Sequence, residues 1–310
     1  MEIFNNNHPF LLNNDIAATI GFFDGVHEGH RFLLNQLKMQ AETHGLPSMA
    51  ITFLQHPQSV LQAGSQLELL NTLDERINRL SLSEIDYCLL LDFTQSFSQL
   101  TAKEFIKEKL KSEWLVKLLL IGHDHRFGKN RTEGFDDYVK YGKESGMEIV
   151  KAMELPDITV SSTHIRACLL AKNIEEANRM LSYCYRLEGK VVEGNRLGGK
   201  IGFPTANLEI TDKNKIIPGD GVYAVRVYWR NKEYGGMVYI GKRPTVTLQG
   251  EKRIEVHLLD FSGNLYGETL QLEFTGFIRE DKRFESIGDL KKQLDADKKK
   301  VETRNAASLQ

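Results

Sequence analysis

The sequence has 310 residues, and 40 basic and 42 acidic side chains give it a formal net charge of −2. Apolar residues make up 41% and charged residues 26%, a composition typical of folded globular proteins, which excludes a wholly disordered chain. The near-neutral charge argues against a protein that binds nucleic acid or anionic membranes over its whole surface. The longest apolar runs, such as 118–121, are far shorter than a membrane-spanning helix.

The cysteines and the first residues of the chain indicate its compartment. The three cysteines are widely spaced, which fits neither a disulfide framework nor a zinc site. The N-terminal residues contain three consecutive asparagines and no basic region of the kind that opens a signal peptide. We therefore expect a cytoplasmic protein whose thiols stay reduced.

The first half of the chain alternates apolar runs with helical patterns. The predicted strands cover 15–23, 47–53, 87–91, 115–122 and 148–151. The predicted helices cover 30–44, 73–82, 102–110, 134–145 and 163–171. Repeated strand-then-helix units indicate a parallel sheet with helices on its faces. Such sheets bind ligands at the carboxyl ends of their strands, near a topological switch point.

The second half is richer in glycine, and its apolar runs are short. The predicted strands cover 223–229, 233–239, 253–261 and 269–274, with turn residues between them. This spacing predicts an antiparallel sandwich or barrel. Ser286 and Asp289 form a capping box at the start of a last helix, and we expect the chain to fray from Lys298. The predicted domains are 1–183 and 184–310.

The segment G-F-F-D-G-V-H-E-G-H at 21–30 leaves a predicted strand and enters a predicted helix. The N–H groups and the positive dipole end of a helix N-terminus favour phosphate, and the glycines allow its close approach. His27 and His30 are one helical turn apart, so both imidazoles can face one ligand and stabilise charge on phosphoryl oxygens. A solvated surface turn and a zinc site are alternatives, although no cysteine or acidic cluster joins the histidines.

This pattern resembles the nucleotidyltransferase superfamily, whose members move a nucleotidyl group from a nucleoside triphosphate and release pyrophosphate. The resemblance implies a second element late in the same domain, with serine or threonine before an arginine at a helix start. The segment S-S-T-H-I-R at 161–166 has this order. Ser161 or Ser162 can cap the helix, and Arg166 would project from its first turn towards a phosphate.

Two further segments follow predicted strands, where loops of such sheets contact ligands. The segment T-F-L-Q-H-P at 52–57 carries His56, and the segment G-H-D-H-R-F-G at 122–128 carries Asp124 and Phe127. The glycines and the aromatic ring of the second segment suit contact with a planar ring system. Taken alone, either loop could be purely structural.

The second half contains its own distinctive segment, G-N-R-L-G-G-K-I-G-F-P-T-A-N at 194–207. Its glycines and basic residues suit a loop that holds phosphates, but no G-K-[ST] closes it as in a P-loop. Thr205 and Asn207 are two residues apart, so in an extended chain both side chains lie on one side. Their oxygens are hard ligands suited to Mg²⁺ and a nucleotide. A flexible hairpin is the alternative interpretation.

The G-F-P-T-A-N run closely resembles the riboflavin kinase domain, and the resemblance continues at 218–223, 240–245, 255–261 and 265–267. Glu255, directly before V-H, has the position of that family's base, which would accept the proton of the ribityl 5′-hydroxyl. From about residue 19 to 299 the chain resembles the bifunctional prokaryotic riboflavin kinase/FAD synthetase family. The resemblance implies a Rossmann-like α/β FMN adenylyltransferase domain and a mainly antiparallel kinase β-barrel with a C-terminal helix.

This resemblance implies two reactions: riboflavin with ATP gives FMN and ADP, and FMN with ATP gives FAD and pyrophosphate, with Mg²⁺ as cofactor. The implied catalytic residues are His27, His30, Arg166 and Glu255. The implied ATP-binding residues are Gly21, Phe22, Phe23, Asp24, Gly25, Ser162, Thr163, Gly198, Gly202, Thr205 and Asn207. The implied metal ligands are Thr205 and Asn207. The implied flavin-binding residues are His56, Asp124, Phe127 and Arg279.

Three positions depart from the family's usual pattern: Phe22 and Tyr239 stand where asparagine is common, and His125 stands where phenylalanine is common. Three other functions are weighed against these motifs. A nucleotidyltransferase for another phosphorylated substrate has no use for the G-F-P-T-A-N module. A class I aminoacyl-tRNA synthetase would need a basic RNA surface that the composition does not suggest. A catalytically inactive flavin sensor does not need the reactive side chains that the motifs retain.

Overall fold

The computed structural model describes all residues except 6–13, 63–66, 124, 156–159, 194–197, 243–251 and 308–310. The chain divides into two compact units, Met1–Ser161 and Ser162–Gln310. Within the described parts of the chain, no helix is both long and apolar enough to cross a membrane. The three cysteines are free thiols.

A six-stranded sheet forms the centre of the first unit, and all its neighbouring strands are parallel. The strands are β1 (Glu2–Phe4), β2 (Ile16–Ile20), β3 (Ser48–Phe53), β4 (Tyr87–Leu91), β5 (Val116–Ile121) and β6 (Glu148–Lys151). The helices are α1 (Glu28–His44), α2 (Pro57–Leu61), α3 (Leu73–Ser81), α4 (Ala102–Glu104), which continues as a π-helix over Phe105–Glu113, and α5 (Phe135–Glu144). The predicted parallel α/β fold is confirmed.

Alternation along β2 explains why the sheet is covered on both faces. Ile16 and Ala18 belong to a core cluster with Tyr138 of α5, whereas Ala17 belongs to a different cluster with Leu37 of α1. All five residues of β2 are buried. A parallel strand with both faces buried reads as a continuous apolar run, which is how the sequence revealed it.

The strand order β1-β4-β3-β2-β5-β6 places the topological switch point between β2 and β5. From β2 the chain moves through β3 to β4 on one side, and it then crosses to β5 on the other side. In open α/β sheets, ligands bind in the crevice beside the carboxyl ends of such strands. The segments that follow β2 and β5 are 21–30 and 122–128, two of the predicted site segments.

The second unit is a closed, six-stranded antiparallel barrel, which confirms the predicted barrel. Its strands are β7 (Arg186–Val192), β8 (Ala206–Ile210), β9 (Gly221–Trp229), β10 (Lys232–Lys242), β11 (Lys252–Leu258) and β12 (Thr269–Arg279), in the order β10-β11-β8-β7-β12-β9. Its helices are α6 (Ser162–Leu170), α7 (Ile174–Leu181) and α8 (Ile287–Ala307). Closure gives each of these six strands a hydrogen-bonded neighbour on both sides.

Helices α6 and α7 precede the barrel and pack on it. The Asn178 side chain of α7 donates to the Phe274 carbonyl of β12 over 2.8 Å, and the Gly219 N–H donates to the Leu169 carbonyl of α6 over 3.1 Å. These bonds explain why the compact units divide at Ser161 and Ser162. The functional boundary at 183/184 stays a prediction.

The C-terminal helix α8 continues to Ala307, so the prediction of fraying from Lys298 is wrong for 298–307. Asp297 and Val301 are fully buried, and Arg304 pairs with Glu175 of α7. Such tertiary contacts stabilise the end of this helix, although its charged sequence taken alone predicts that the end frays.

Candidate active sites

The turn between β2 and α1 has a constrained backbone. Phe23, Gly25 and Val26 have positive φ angles of 57°, 83° and 36°. Glycine tolerates this region, whereas a phenylalanine and a valine are strained in it. Residues 24–26 form one 3₁₀ turn, and His27 is the N-cap of α1. The turn therefore brings the chain from the end of β2 into α1 within a few residues.

His27 and His30 lie face to face at the start of α1. Their ring centroids are 3.7 Å apart with an interplanar angle of 16°, and His27 Nδ1 accepts from the His30 backbone N–H over 3.4 Å. His30 Nδ1 is buried without a hydrogen-bond partner among the described residues. Burial and the neighbouring His27 and His125 hold the pKa of His30 well below its usual value. His30 is therefore neutral at pH 7 and able to hydrogen-bond a ligand.

His125 follows β5 and lies close enough to influence His30 electrostatically. Its backbone N–H donates to the Gly122 carbonyl over 3.1 Å, which closes the turn after the strand. Burial, reinforced by Arg131, lowers the pKa of His125 to about 4. The histidine that departs from the family's pattern thus belongs to the same electrostatic group as the H-x-G-H pair.

These two lowered pKa values predict that the first unit loses stability in mild acid. Unfolding returns the histidines to a pKa near 6.5, so below that pH the unfolded chain binds more protons than the folded one. The free energy of unfolding should therefore fall as the pH drops from 6.5 towards about 4. Urea unfolding measures this free energy. In a Trp229→Phe variant the tryptophan fluorescence comes from Trp114, which is buried in the first unit.

The same measurement has a matched control. Replacing both His30 and His125 by glutamine should flatten the pH dependence between about pH 7 and about pH 5, whereas replacing exposed His44 should not. The prediction would be contradicted if the urea midpoint of Trp229→Phe, with all histidines retained, stayed constant between about pH 7 and about pH 5.

The other predicted site residues of this unit differ in how far they are buried. The carboxylate of Asp24 is buried and accepts from the N–H groups of Leu70 and Asn71 over 3.0–3.2 Å. His56 is the N-cap of α2. The centroids of the His56 and Phe22 rings are 4.4 Å apart, and the rings are packed edge to face. Both aromatic residues are partly exposed beside the carboxyl ends of β2 and β3.

Phe127 lies in the core instead of at an open surface. Its ring stacks on Tyr138 at 4.2 Å, and the Tyr138 hydroxyl accepts from the Phe127 N–H over 3.1 Å. A flavin contact of Phe127 stays a prediction, as does that of Asp124, which lies outside the described residues.

The second nucleotidyltransferase element lies on α6, in the second unit. The helix begins at Ser162, one residue earlier than predicted, so Arg166 lies in its second turn. Thr163 is exposed, whereas Ser162 and Arg166 are half-buried.

In the barrel, one row of side chains crosses three strands. Glu255 of β11 lies opposite Asn207 of β8 and opposite Tyr239 of β10. Directly opposite residues in a sheet project from the same face, so these three side chains are neighbours. The Glu255 carboxylate is 16% exposed and pairs with Arg253, two residues away on the same face. The Tyr239 hydroxyl donates to Asp281 over 3.1 Å.

The chain before β8 approaches this row. Residues 198–201 form a 3₁₀ turn, and Gly202 has a φ of 87°, a conformation that favours glycine. His257 lies on the same face of β11 as Glu255, and its Nδ1 lies 2.8 Å from the Pro204 carbonyl. The bond fixes the residue immediately before Thr205, so it positions the P-T-A-N run. Burial lowers the pKa of His257, so the neutral ring donates this bond.

Arg279, at the end of β12, is held by α8. Its Nε donates to the fully buried Asp297 carboxylate over 2.8 Å, and a terminal nitrogen donates to the Glu280 carbonyl over 3.0 Å. Among the described residues, the remaining guanidinium nitrogen makes no hydrogen bond, and the side chain is 16% exposed. A flavin contact of Arg279 remains a prediction.

Comparisons with known proteins cover both units. The family model for FAD synthetase matches residues 11–164, and the model for riboflavin kinase matches 181–304. The bifunctional riboflavin kinase/FMN adenylyltransferases of Haemophilus influenzae and Escherichia coli K12 are 36% and 37% identical to this chain. Those alignments cover 94% and 91% of this chain and 93% and 90% of the relatives. This chain belongs to the bifunctional riboflavin kinase/FMN adenylyltransferase family. The family resemblance drawn from the motifs is confirmed.

A solved structure shares the fold of this family member along nearly its whole length. The crystal structure titled as a macrolide-efflux protein from Streptococcus pneumoniae has a TM-score of 0.86 and 31% identity, and the match covers 97% of this chain and 99% of that one. The functional comparison rests on the two family models and the curated relatives, whose names agree with each other.

Three residues with evident roles in these sites were not singled out from the sequence. Arg253 pairs with Glu255, and its position two residues earlier on a strand was an available signal. His257 holds the Pro204 carbonyl, and it lies within the quoted V-H-L run. Arg76 is buried beneath the turn at 21–27, and a charged residue on an amphipathic helix gives no signal of such burial.

Proposed function

We propose that residues 1–183 adenylylate FMN and residues 184–310 phosphorylate riboflavin, so that one chain performs two successive ATP-dependent steps of FAD synthesis. The main support is that each unit brings a group of motif residues together. The histidine pair lies at the switch point of the sheet in the first unit, and Glu255 lies directly opposite Asn207 on the neighbouring strand of the barrel. Each arrangement suits chemistry on phosphate, and the family's name contains both activities.

In the kinase reaction, Glu255 is the base. The ribityl 5′-hydroxyl oxygen attacks the γ-phosphorus of ATP, the bond to the β–γ bridging oxygen breaks, and ADP leaves while Glu255 accepts the hydroxyl proton. Arg253 pairs with the carboxylate and would orient it until the substrate arrives. The turn at 198–202 would surround the phosphates with backbone N–H groups. Positioning by these groups supplies most of the rate enhancement.

The residues beside Glu255 suit a magnesium–nucleotide complex. Asn207 offers an amide oxygen on the face that also carries the Glu255 carboxylate, and Thr205, two residues earlier, offers a hydroxyl. Such hard oxygen donors are what Mg²⁺ prefers. Among the described residues, no group of three or more His, Cys, Asp or Glu side chains forms a cage for a metal. In nucleotide sites Mg²⁺ is usually held by one or two protein groups together with substrate phosphates and water. Bound Mg²⁺ would neutralise charge on the β- and γ-phosphate oxygens.

In the adenylyl transfer, the FMN phosphate is itself the nucleophile. One of its oxygens attacks the α-phosphorus of ATP, and pyrophosphate leaves, so no strong base is needed. The task is to bring two anions together. His27 and His30, at the start of α1, would donate hydrogen bonds to phosphoryl oxygens, and Arg166 would supply positive charge. His56, Asp124 and Phe127 are the proposed flavin contacts of the first unit, and Arg279 is a proposed flavin contact of the barrel.

Position-specific labelling of ATP distinguishes the two reactions. With riboflavin as substrate and Mg²⁺ present, label in the γ-phosphate should enter FMN, and label in the α-phosphate should enter FAD only. Chelation of the metal should stop both transfers, and added Mg²⁺ should restore them. Label from the α-phosphate in FMN, or transfer that continues at the full rate with chelator, would contradict the proposal. The protein is expected to do this in the cytoplasm as a monomer or a weak homo-oligomer.

A further inference from the structure

A buried arginine lies directly beneath the turn that carries the histidine pair. Arg76 projects from α3, is only 2% exposed, and stacks its guanidinium 4.0 Å above the Phe22 ring. One terminal nitrogen donates to the Phe22 carbonyl over 3.1 Å, and the other donates to the Phe53 carbonyl. Burial lowers the pKa of Arg76 to about 10, so the guanidinium stays charged at neutral pH. A buried charge is costly, which makes its retention informative.

The two carbonyls that Arg76 holds lie beyond the carboxyl ends of adjacent strands. Phe22 follows β2, and Phe53 ends β3. The Phe22 carbonyl also accepts from the hydroxyl of buried Thr52 over 3.1 Å. Carbonyl oxygens at this edge would repel phosphate, and a cation that binds them also places positive charge beside the expected anion site.

The same turn also binds the start of α3, the helix that carries Arg76. Asp24, within the turn, accepts from the N–H groups of Leu70 and Asn71, immediately before the Thr72 N-cap of α3. The Asp24 carboxylate also attracts the Arg76 guanidinium, which raises the pKa of Arg76 against the effect of burial. The contacts therefore run in both directions between the turn and α3.

The contacts between the turn and α3 suit the strained backbone of the turn. Phe23 and Val26 have positive φ angles, and strained residues persist only where the surrounding structure determines their conformation. We propose that Arg76 and Asp24 are positioning residues for adenylyl transfer: they form a latch between α3 and the turn that sets the placement of His27 and His30. Asp24 then acts through the backbone of 70–71 instead of through ATP. This inference rests on the proposed adenylylation by the first unit.

The test uses the full chain, in which the kinase reaction serves as an internal reference. We expect Arg76→Met to lower kcat/KM for FMN adenylylation about 100-fold, mainly through kcat, because misplacement of about 1 Å has effects of this size. Arg76→Lys should restore little, because an ammonium does not donate in two fixed directions. Arg79→Met, one turn along the same helix, should behave as the wild type. Riboflavin phosphorylation should stay within about twofold in every variant.

A second set of measurements separates positioning from mere stability. Trp114 fluorescence, in a Trp229→Phe background, gives the folded fraction of the first unit at the assay temperature. If Arg76→Met keeps the wild-type kcat per folded molecule, the latch is only structural and the proposal is overturned. If Arg76→Met does not fold, the adenylylation kinetics of Asp24→Asn and Thr52→Val test the proposal instead. We expect Thr52→Val to lower kcat/KM on the order of fivefold, and wild-type kinetics in both variants would overturn the proposal.

The two proposals fail in different ways. A wild-type protein that makes no FAD from FMN and ATP would refute the proposed function. A wild-type protein that makes FAD, with an Arg76→Met variant that makes it equally well, would refute the latch alone.

Discussion

Replacement of Glu255 by glutamine or alanine is expected to lower riboflavin phosphorylation about 10²–10⁴-fold, the range associated with loss of a general base. Glutamine keeps the size of the side chain and an acceptor for Arg253, so the loss would report on the missing carboxylate and not on a collapsed row of side chains. Adenylylation of supplied FMN should continue at the wild-type rate. Chromatographic separation of riboflavin, FMN and FAD measures both reactions on one sample.

The neighbouring strand offers a matched control for that experiment. Glu209, on β8, is exposed and lies two residues beyond Asn207, so Glu209→Gln makes the same chemical change outside the proposed site. It should leave both reactions unchanged. Kinase turnover of Glu255→Gln close to that of Glu209→Gln would show that the base is a different group.

His30→Ala is expected to stop the second reaction and leave the first intact, so that FMN accumulates when riboflavin is supplied. The variant removes a neutral imidazole whose buried Nδ1 has no hydrogen-bond partner among the described residues. Loss of one donor aimed at a developing oxyanion lowers kcat about 10²–10³-fold, and we expect a loss of that order. The stacked His27 ring would remain as the N-cap of α1.

The same helix provides the control for His30. His44 lies in the last turn of α1 and is exposed, and its ring contacts the Gln40 carbonyl of its own helix and the Glu148 side chain. His44→Ala should form FAD at the wild-type rate. FAD formation by His30→Ala at the rate of His44→Ala would refute the role assigned to His30.

Local sequence patterns predicted much of the fold. The apolar run of β2 and the stop at Gly45, which has a φ of 63°, were legible because burial and backbone sterics act on single residues. The π-helix over Phe105–Glu113 was not, because the pattern there differs little from that of an α-helix. Helix α7, just before the predicted domain boundary at 183/184, was not predicted, although its Asn173 side chain caps it.

The candidate sites divide along the same line. The spacing of His27 and His30 predicted that their side chains lie close together, and the rings are stacked, whereas a ligand shared by both stays a prediction. The pairing of Glu255 with Asn207 depends on the register of two strands distant in the sequence, so only the family resemblance suggested it. Arg76 meets Phe22 across 54 positions of the sequence, and no local pattern encodes such a contact.

The full reaction course of the unmodified protein tests the central claim most directly. Purified protein would be incubated with riboflavin, ATP and Mg²⁺, and the flavins separated by chromatography with fluorescence detection at successive times. The account predicts that FMN rises first and FAD follows at its expense. FMN that accumulates without FAD, even when ATP is renewed, would contradict the adenylyltransferase assignment. Riboflavin that remains unchanged under conditions in which supplied FMN is also untouched would contradict both assignments.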